Sequence, residues 1–227
     1  MNIELEITGD GSHTLFVPSI NEHYHSTYGA ITETMHVYID AGLRACLKST
    51  VNILEIGFGT GLNAFLSLLD AEKTAKAVFY TSVERYPLPA DKVKKLNYAS
   101  LIQPSATNLF NKLHDCEWET AVKITPHFTL QKRKIDFSNS DEIAFNSSFD
   151  VIFFDAFAPE KQPEMWTQRI FDSIFSLCNP HAIITTYCAK GIVRRMLQSA
   201  GFTVERLPGP PGKREILRGR KESTFFP

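Results

Sequence analysis

Four carboxylates stand where runs of apolar or β-forming residues stop. Glu55 follows Val51-Asn52-Ile53-Leu54, Glu84 follows Tyr80-Thr81-Ser82-Val83, Asp136 follows Arg133-Lys134-Ile135, and Asp155 follows Phe149-Asp150-Val151-Ile152-Phe153-Phe154. Behind the first lies Gly57-Phe58-Gly59-Thr60-Gly61-Leu62-Asn63. Alternating glycines permit a tight turn and close approach of backbone to a ligand. The helix that opens after them offers unpaired N–H groups to an electron-rich group. A carboxylate at a strand end can accept both hydroxyls of a ribose, and Glu84 lies 23 residues beyond Gly61, an interval suited to that task. The pattern predicts a nucleotide-type cofactor site with Asp155 as the polar group nearest the chemistry. The spacing Gly-x-Gly-x-Gly is not the dinucleotide fingerprint, and no set of residues for hydride transfer accompanies it, which disfavours a nicotinamide dehydrogenase.

These residues need a parallel sheet to bring them to one edge. From residue 51 onward strand and helix patterns alternate, with strands over 51–56, 77–84, 127–136, 149–155, 181–187, 202–207 and 214–219. Helices are expected over 62–71, 90–97, 105–120, 139–144, 164–177 and 190–200. Such alternation implies an α/β, doubly wound, Rossmann-like sheet of seven mostly parallel strands. The last two strands are joined only by Pro208-Gly209-Pro210-Pro211-Gly212, so the final strand must run antiparallel. Upstream, residues 3–8 and 14–17 read as a hairpin around Gly9-Asp10-Gly11, and 19–30 as a loop. Residues 31–47 have helical spacing, with Met35, Ile39, Leu43 and Leu47 on one face. Residues 1–48 thus read as an extension packed on a core domain of 49–227.

Composition bounds the function. The chain of 227 residues is 43% hydrophobic and 22% charged, ordinary for a globular domain. No apolar run reaches the roughly 18 residues that span a bilayer, and Met1-Asn2-Ile3-Glu4-Leu5-Glu6 is no signal peptide, so a cytoplasmic protein without membrane partners is expected. Cys46, Cys116, Cys178 and Cys188 have no metal or redox spacing and read as core thiols. His23, His25 and His36 lack supporting carboxylate spacing, so no metal site is expected. The net charge of −1 hides an asymmetry: between Lys190 and Lys221 nine basic residues face only Glu205 and Glu215, a local +7 that leaves −8 elsewhere. That segment suits a polyanion, or else is balanced within the fold.

The residues carry a specific resemblance. Asp155-Ala156-Phe157-Ala158-Pro159 with Pro163-Glu164-Met165-Trp166-Thr167, Phe58-Gly59-Thr60-Gly61-Leu62-Asn63, Glu84-Arg85-Tyr86-Pro87-Leu88, Gly191-Ile192-Val193-Arg194-Arg195, Ala200-Gly201-Phe202 and Lys213-Arg214-Glu215-Ile216-Leu217 resemble the methyltransferase domain of bacterial enzymes that make 5-methylaminomethyl-(2-thio)uridine at the tRNA wobble position. Tyr24-His25-Ser26, Gly29 and Glu33 resemble the N-terminal active-site segment of that family. Tyr187-Cys188-Ala189-Lys190 departs from its pattern, where a Thr/Ser-containing run is expected. In the bifunctional members a flavin-dependent oxidase follows, so this chain, ending at Pro227, resembles a stand-alone methyltransferase that needs no flavin.

The resemblance implies S-adenosyl-L-methionine (SAM) as cofactor, held by Glu55, Gly57, Phe58, Gly59, Gly61, Asn63, Glu84, Asp136 and Phe137. Glu55 would meet the amino group of its methionine moiety, Glu84 the ribose and Asp136 the adenine amino group. Asp155 would be catalytic, binding the amine nitrogen and relaying its proton. The implied substrate is the anticodon stem-loop of a tRNA, with the aminomethyl precursor supplied by a separate enzyme. Tyr28, Glu33, Phe157, Pro159 and Trp166 would contact the nucleotide, and Lys190, Arg194, Arg195, Lys213 and Arg214 the phosphates, with Lys132, Arg133 and Lys134 as helpers. Two alternatives stay open: a methyltransferase for a different amine or small molecule, and a non-catalytic SAM- or RNA-binding scaffold.

Overall fold

The computed structural model describes residues 3–142, 145 and 147–223. Three short strands, β1 (Glu4–Ile7), β2 (His13–Val17) and β3 (Glu22–His23), form an antiparallel sheet of their own. The first two are the expected hairpin; β3 lies in the stretch read as loop. Helix α1 (Ala30–Thr34) continues into a wide π-helical stretch, Met35–Leu43, closed by the Arg44 N–H bonding to the Ile39 carbonyl at 2.8 Å. The widened turn buries Val37, Tyr38, Ile39 and Leu43, and Leu47, expected on the same face, lies beyond its end at 97% exposure.

The main sheet has eight strands: β4 (Thr50–Ile56), β5 (Ala77–Val83), β6 (Ala121–Thr125), β7 (Phe128–Arg133), β8 (Phe149–Phe154), β9 (Cys178–Thr186), β10 (Thr203–Pro208) and β11 (Glu215–Arg220). Their order is β10-β11-β9-β8-β4-β5-β7-β6. The eighth strand corrects the expected seven. β6 pairs antiparallel with β7 at the sheet edge, and the helix expected over 105–120 ends at Asp115 as α5 (Thr107–Asp115). Alternating polar residues in Ala121–Thr125 hid β6, because an edge strand buries only one side. β11 does run antiparallel, as its short connection requires, but it inserts between β10 and β9.

Helices α2 (Leu62–Thr74), α3 (Ala90–Val93), α4 (Tyr98–Ile102), α6 (Gln168–Leu177) and α7 (Gly191–Ala200) complete the layers. Phe137–Glu142 forms a short 3-10 segment, and residues 143–144 of the helix expected there lie outside the described residues. The central strands lie between the layers, and all six residues of β8 are buried, Asp150 among them. Sheet order reverses between β4 and β8, and in such folds the crevice beyond the carboxyl ends at that point receives the ligand. None of the described helices is long and apolar enough to cross a membrane.

Candidate active site

Backbone hydrogen bonds continue past the strand ends and align the predicted residues. The Gly57 N–H bonds to Val83 O (2.9 Å), Glu84 N–H to Arg133 O (2.9 Å) and Asp155 N–H to Ile56 O (3.1 Å). The glycine loop, Glu84 and Asp155 therefore share one row above β5, β4 and β8. Gly57 has φ +97° and a Cβ there would meet Asp155 O at 2.8 Å; at Gly61, φ +73°, it would meet His114 Nε2 at 2.7 Å. Only glycine lets the loop lie flat against its neighbours at these positions.

A cleft of about 570 Å³ opens above this row. Of the sequence candidates it is lined by Gly57, Phe58, Gly59, Asn63, Glu84, Asp136, Phe137, Asp155, Phe157, Tyr28, Glu33 and Lys213. Glu84 Oε2 accepts the Gly59 N–H (3.1 Å) and Oε1 the Tyr86 N–H (2.7 Å), tying the loop to the end of β5. Asp136 pairs with Arg85 at 2.8 Å and accepts the Ser138 N–H and hydroxyl. The loop is braced from outside by two histidines. His25 Nε2 lies 2.6 Å from the Thr60 hydroxyl and His114 Nε2 donates to Thr60 O at 3.1 Å. Burial brings each imidazole down to about 4, so both stay neutral.

Asp155 is held on both oxygens. Tyr38 OH donates to Oδ1 (2.6 Å) and Asn63 Nδ2 to Oδ2 (2.8 Å). Burial raises this carboxyl to about 7 against the opposing pull of those two hydrogen bonds. A carboxylate poised there can hold an amine and exchange a proton with it near neutral pH. Sequence reasoning missed Tyr38, which reads as one more apolar position of a helix, and Tyr187, whose OH bonds Ala156 O (2.9 Å) beside Asp155. Tyr24, which packs edge-on to Phe157 at 5.1 Å, also lines the cleft.

Several expectations are corrected. Glu55 is fully buried beneath the cleft and bonds to the Ser82 hydroxyl, 2.5 Å away, so it does not face the cleft. Burial lifts its carboxyl to about 8. Trp166 is buried against Phe154 and donates from Nε1 to Phe157 O (2.7 Å); it fixes the loop after Asp155 and offers no stacking face. Gly61 and Pro159 are not in the cleft wall, Gly61 serving as the left-handed entry to α2.

The basic segment is largely balanced within the fold. Lys190 pairs with Glu160, Arg206 with Glu215, Arg218 and Arg220 with Glu205, and Lys213 with Glu33, while Lys221 Nζ bonds to the carbonyls of Phe175 and Cys178. Arg195 and Arg214 stay exposed and Arg194 half-buried, all outside the cleft. Lys132 is 1% exposed, its Nζ 4.9 Å from the Trp118 ring and 5.5 Å from the Phe58 ring, which removes it as a phosphate contact; Arg133 lies 3.6 Å from Glu119. The three histidines considered for metal go to separate partners: His23 to Glu6, His25 to Thr60 and His36 to Pro208 O.

Comparison with known proteins places this geometry. The profile of a family described as S-adenosyl-L-methionine-dependent methyltransferase matches residues 98–222, more than half of the chain. Curated relatives include the "tRNA 5-methylaminomethyl-2-thiouridine biosynthesis bifunctional protein MnmC" of Marinomonas sp. (strain MWYL1), 32% identical over 90% of this chain and 32% of the relative. The protein of the same name from Methylobacillus flagellatus is 31% identical over 87% of this chain and 32% of the relative. The chain thus spans about a third of the length of these relatives. Among solved structures, MNMC2 from Aquifex aeolicus superposes with a TM-score of 0.75 at 24% identity, over 96% of this chain and 70% of that one, which shows a common fold.

Proposed function

The chain belongs to the S-adenosyl-L-methionine-dependent methyltransferases, and on that premise we propose that it methylates the nitrogen of a 5-aminomethyl group on a tRNA wobble uridine, with or without 2-thiolation. The observation that carries this reading is the Asp155 carboxylate, fixed by Tyr38 and Asn63 in the same cleft as the glycine loop. The names of the relatives supply the substrate.

The donor set fits the cofactor. Gly57 and Gly59 present backbone to the cleft, Asn63 Oδ1 is buried with no partner among the described residues, and Glu84, Asp136 and Phe137 line the same cleft as groups for a ribose and an adenine. Bound there, SAM supplies an electrophilic methyl group. Glu84 would accept the ribose hydroxyls, and Asp136 and Phe137 would border the base.

An alkylamine near pH 7 is mostly an ammonium with no lone pair to donate. Asp155 takes one proton from it, leaving the neutral amine beside the methyl group. SAM held in the cleft would supply its methyl group to that nitrogen lone pair, the sulfonium becoming a neutral thioether. The methylated ammonium leaves, and Asp155 returns its proton to solvent. Holding the amine at Asp155 beside the cofactor site would supply much of the rate through orientation.

The anticodon loop would present its uridine past Tyr28, 63% exposed at the rim, and Phe157, with Arg195 and Arg214 near the phosphates. A separate enzyme would provide the aminomethyl group, in the cytoplasm where the RNA resides. The test is methyl transfer from labelled SAM to tRNA from a host lacking this step, with wild type and Asp155→Ala. Label in the wobble nucleoside that disappears in the variant is expected. SAM binding with no transfer to such tRNA would overturn the substrate and favour a small-molecule amine.

A further inference from the structure

Glu33 and Lys213 stand apart from the roles a sequence reading gives them. Glu33, in the first turn of α1, is buried at 7% exposure, and its Oε2 accepts the Ser26 N–H at 2.8 Å. Its Oε1 lies 2.8 Å from Lys213 Nζ. Lys213 comes from the β10–β11 loop, whose Gly212 is pressed against the Tyr28 ring, and its ammonium lies 4.9 Å from the Tyr187 ring centroid. Both side chains line the cleft that holds Asp155. A lysine that turns inward to a buried carboxylate is not a phosphate contact.

We propose that the Glu33–Lys213 pair sets the protonation balance of the Asp155 site, with Lys213 cancelling the charge of Glu33 so that Glu33 does not compete with Asp155 for the substrate's proton. The inference rests on the amine reading given above for the direction of the chemistry, but not for its electrostatics. The groups acting on Asp155 are few. Tyr38 and Asn63 hydrogen-bond to it, Glu33 raises it and Lys213 lowers it, while Glu55 lies fully buried below and the phenols of Tyr80 and Tyr187 lie close. Like charges in one enclosed space oppose each other's ionisation, and an opposite charge favours it. Without Lys213 two carboxylates would share the cleft and hold the ammonium form of the substrate, which cannot attack. Without Glu33 a bare ammonium would face the cleft and repel a cationic substrate. Glu33 and Lys213 thus act through Asp155, as positioning residues.

The test is the titration of the Asp155 side-chain carboxyl by 13C NMR in the SAM-free protein, assigned by its disappearance in Asp155→Asn. Lys213→Met is expected to raise proton affinity and Glu33→Gln to lower it, each by about tenfold. The double variant should return near wild type, and Lys213→Arg should leave the midpoint in place. Glutamine still accepts the Ser26 N–H and position 213 lies in a loop, so both folds should survive, with thermal melting as the check. Midpoints that move together, that do not move, or that shift as far in Lys213→Arg as in Lys213→Met would overturn the proposal. The pH at half-maximal kcat/KM on aminomethyl tRNA should follow the same opposed directions. Opposed NMR shifts in a protein that methylates no such tRNA would sink the substrate reading and leave the pair's role standing.

Discussion

Tyr38 and Asp155, 117 residues apart in the chain, share a 2.6 Å hydrogen bond from phenol to carboxylate. Tyr38 can reach Asp155 because the π-helical stretch Met35–Leu43 turns its ring under β8, where it packs on Phe153 at 5.3 Å. π-Helical segments recur at functional sites. With Asn63 on the other oxygen, the carboxylate is oriented by buried groups that belong to no surface loop.

Asp155→Asn should therefore keep the fold and SAM binding but lose proton transfer. Tyr38 still donates to the amide oxygen, while the amide NH2 meets the Asn63 donor. A drop of about 10²–10⁴ in kcat is expected, read by single-turnover methyl transfer, with calorimetry showing SAM affinity within a few-fold of wild type. Variant turnover within tenfold of wild type would remove Asp155 from the chemistry.

If Asp155 accepts the proton as proposed, the wild-type rate should rise with pH through about 7, where burial holds its carboxyl. A profile of kcat/KM flat between pH 5.5 and 8 would contradict this role for the carboxylate.

Glu84→Ala should weaken SAM binding by about 2 kcal/mol, near thirtyfold, because it removes the carboxylate that holds the Gly59 and Tyr86 N–H groups and that is proposed to meet the ribose. The KM for tRNA should change far less. Equal losses for both ligands would mean that the loop had collapsed.

Glu55 predicts a pH dependence of stability. Its folded carboxyl lies at about 8 against an ordinary 4.5. The folded chain binds the extra proton between those values, so the contribution of Glu55 is fully present below about 4.5 and is lost as pH rises through about 8. Glu55→Gln should match wild type near pH 4 and exceed it at pH 9 by on the order of 3–5 kcal/mol in urea unfolding. Wild-type and variant curves that stay parallel across this range would refute the assignment.

With most of the basic segment paired within the fold, the proposed RNA binding would depend on few cations. Replacing exposed Arg195 and Arg214 together by Glu should weaken tRNA binding and flatten its salt dependence, whereas Lys132→Met, deep under Phe58, should leave the salt slope unchanged. Filter binding at several salt concentrations distinguishes the two. A slope altered by Lys132→Met alone would place that residue on the RNA.

The glycine loop, the acids at the strand ends and the reversed last strand were legible in the sequence because each is a local rule: a backbone conformation open to glycine, a strand that stops at a charge, a connection too short to cross over. The edge strand Ala121–Thr125 was not, since it buries one side and its pattern is weak. Side-chain direction was not legible either. Glu55 and Glu84 both stand near strand ends, yet one is sealed under the cleft and the other lines it, a difference set by position along the sheet: Glu55 lies within β4 opposite Ser82, whereas Glu84 stands one residue past the end of β5. Likewise a count of nine cations over Lys190–Lys221 is a property of composition, while their pairing with Glu33, Glu160, Glu205 and Glu215 depends on which segments the fold brings within a few ångströms. Tyr38 shows the same limit most sharply. Its role beneath Asp155 exists only because a widened helix and a buried strand meet, and no spacing along the chain encodes that contact.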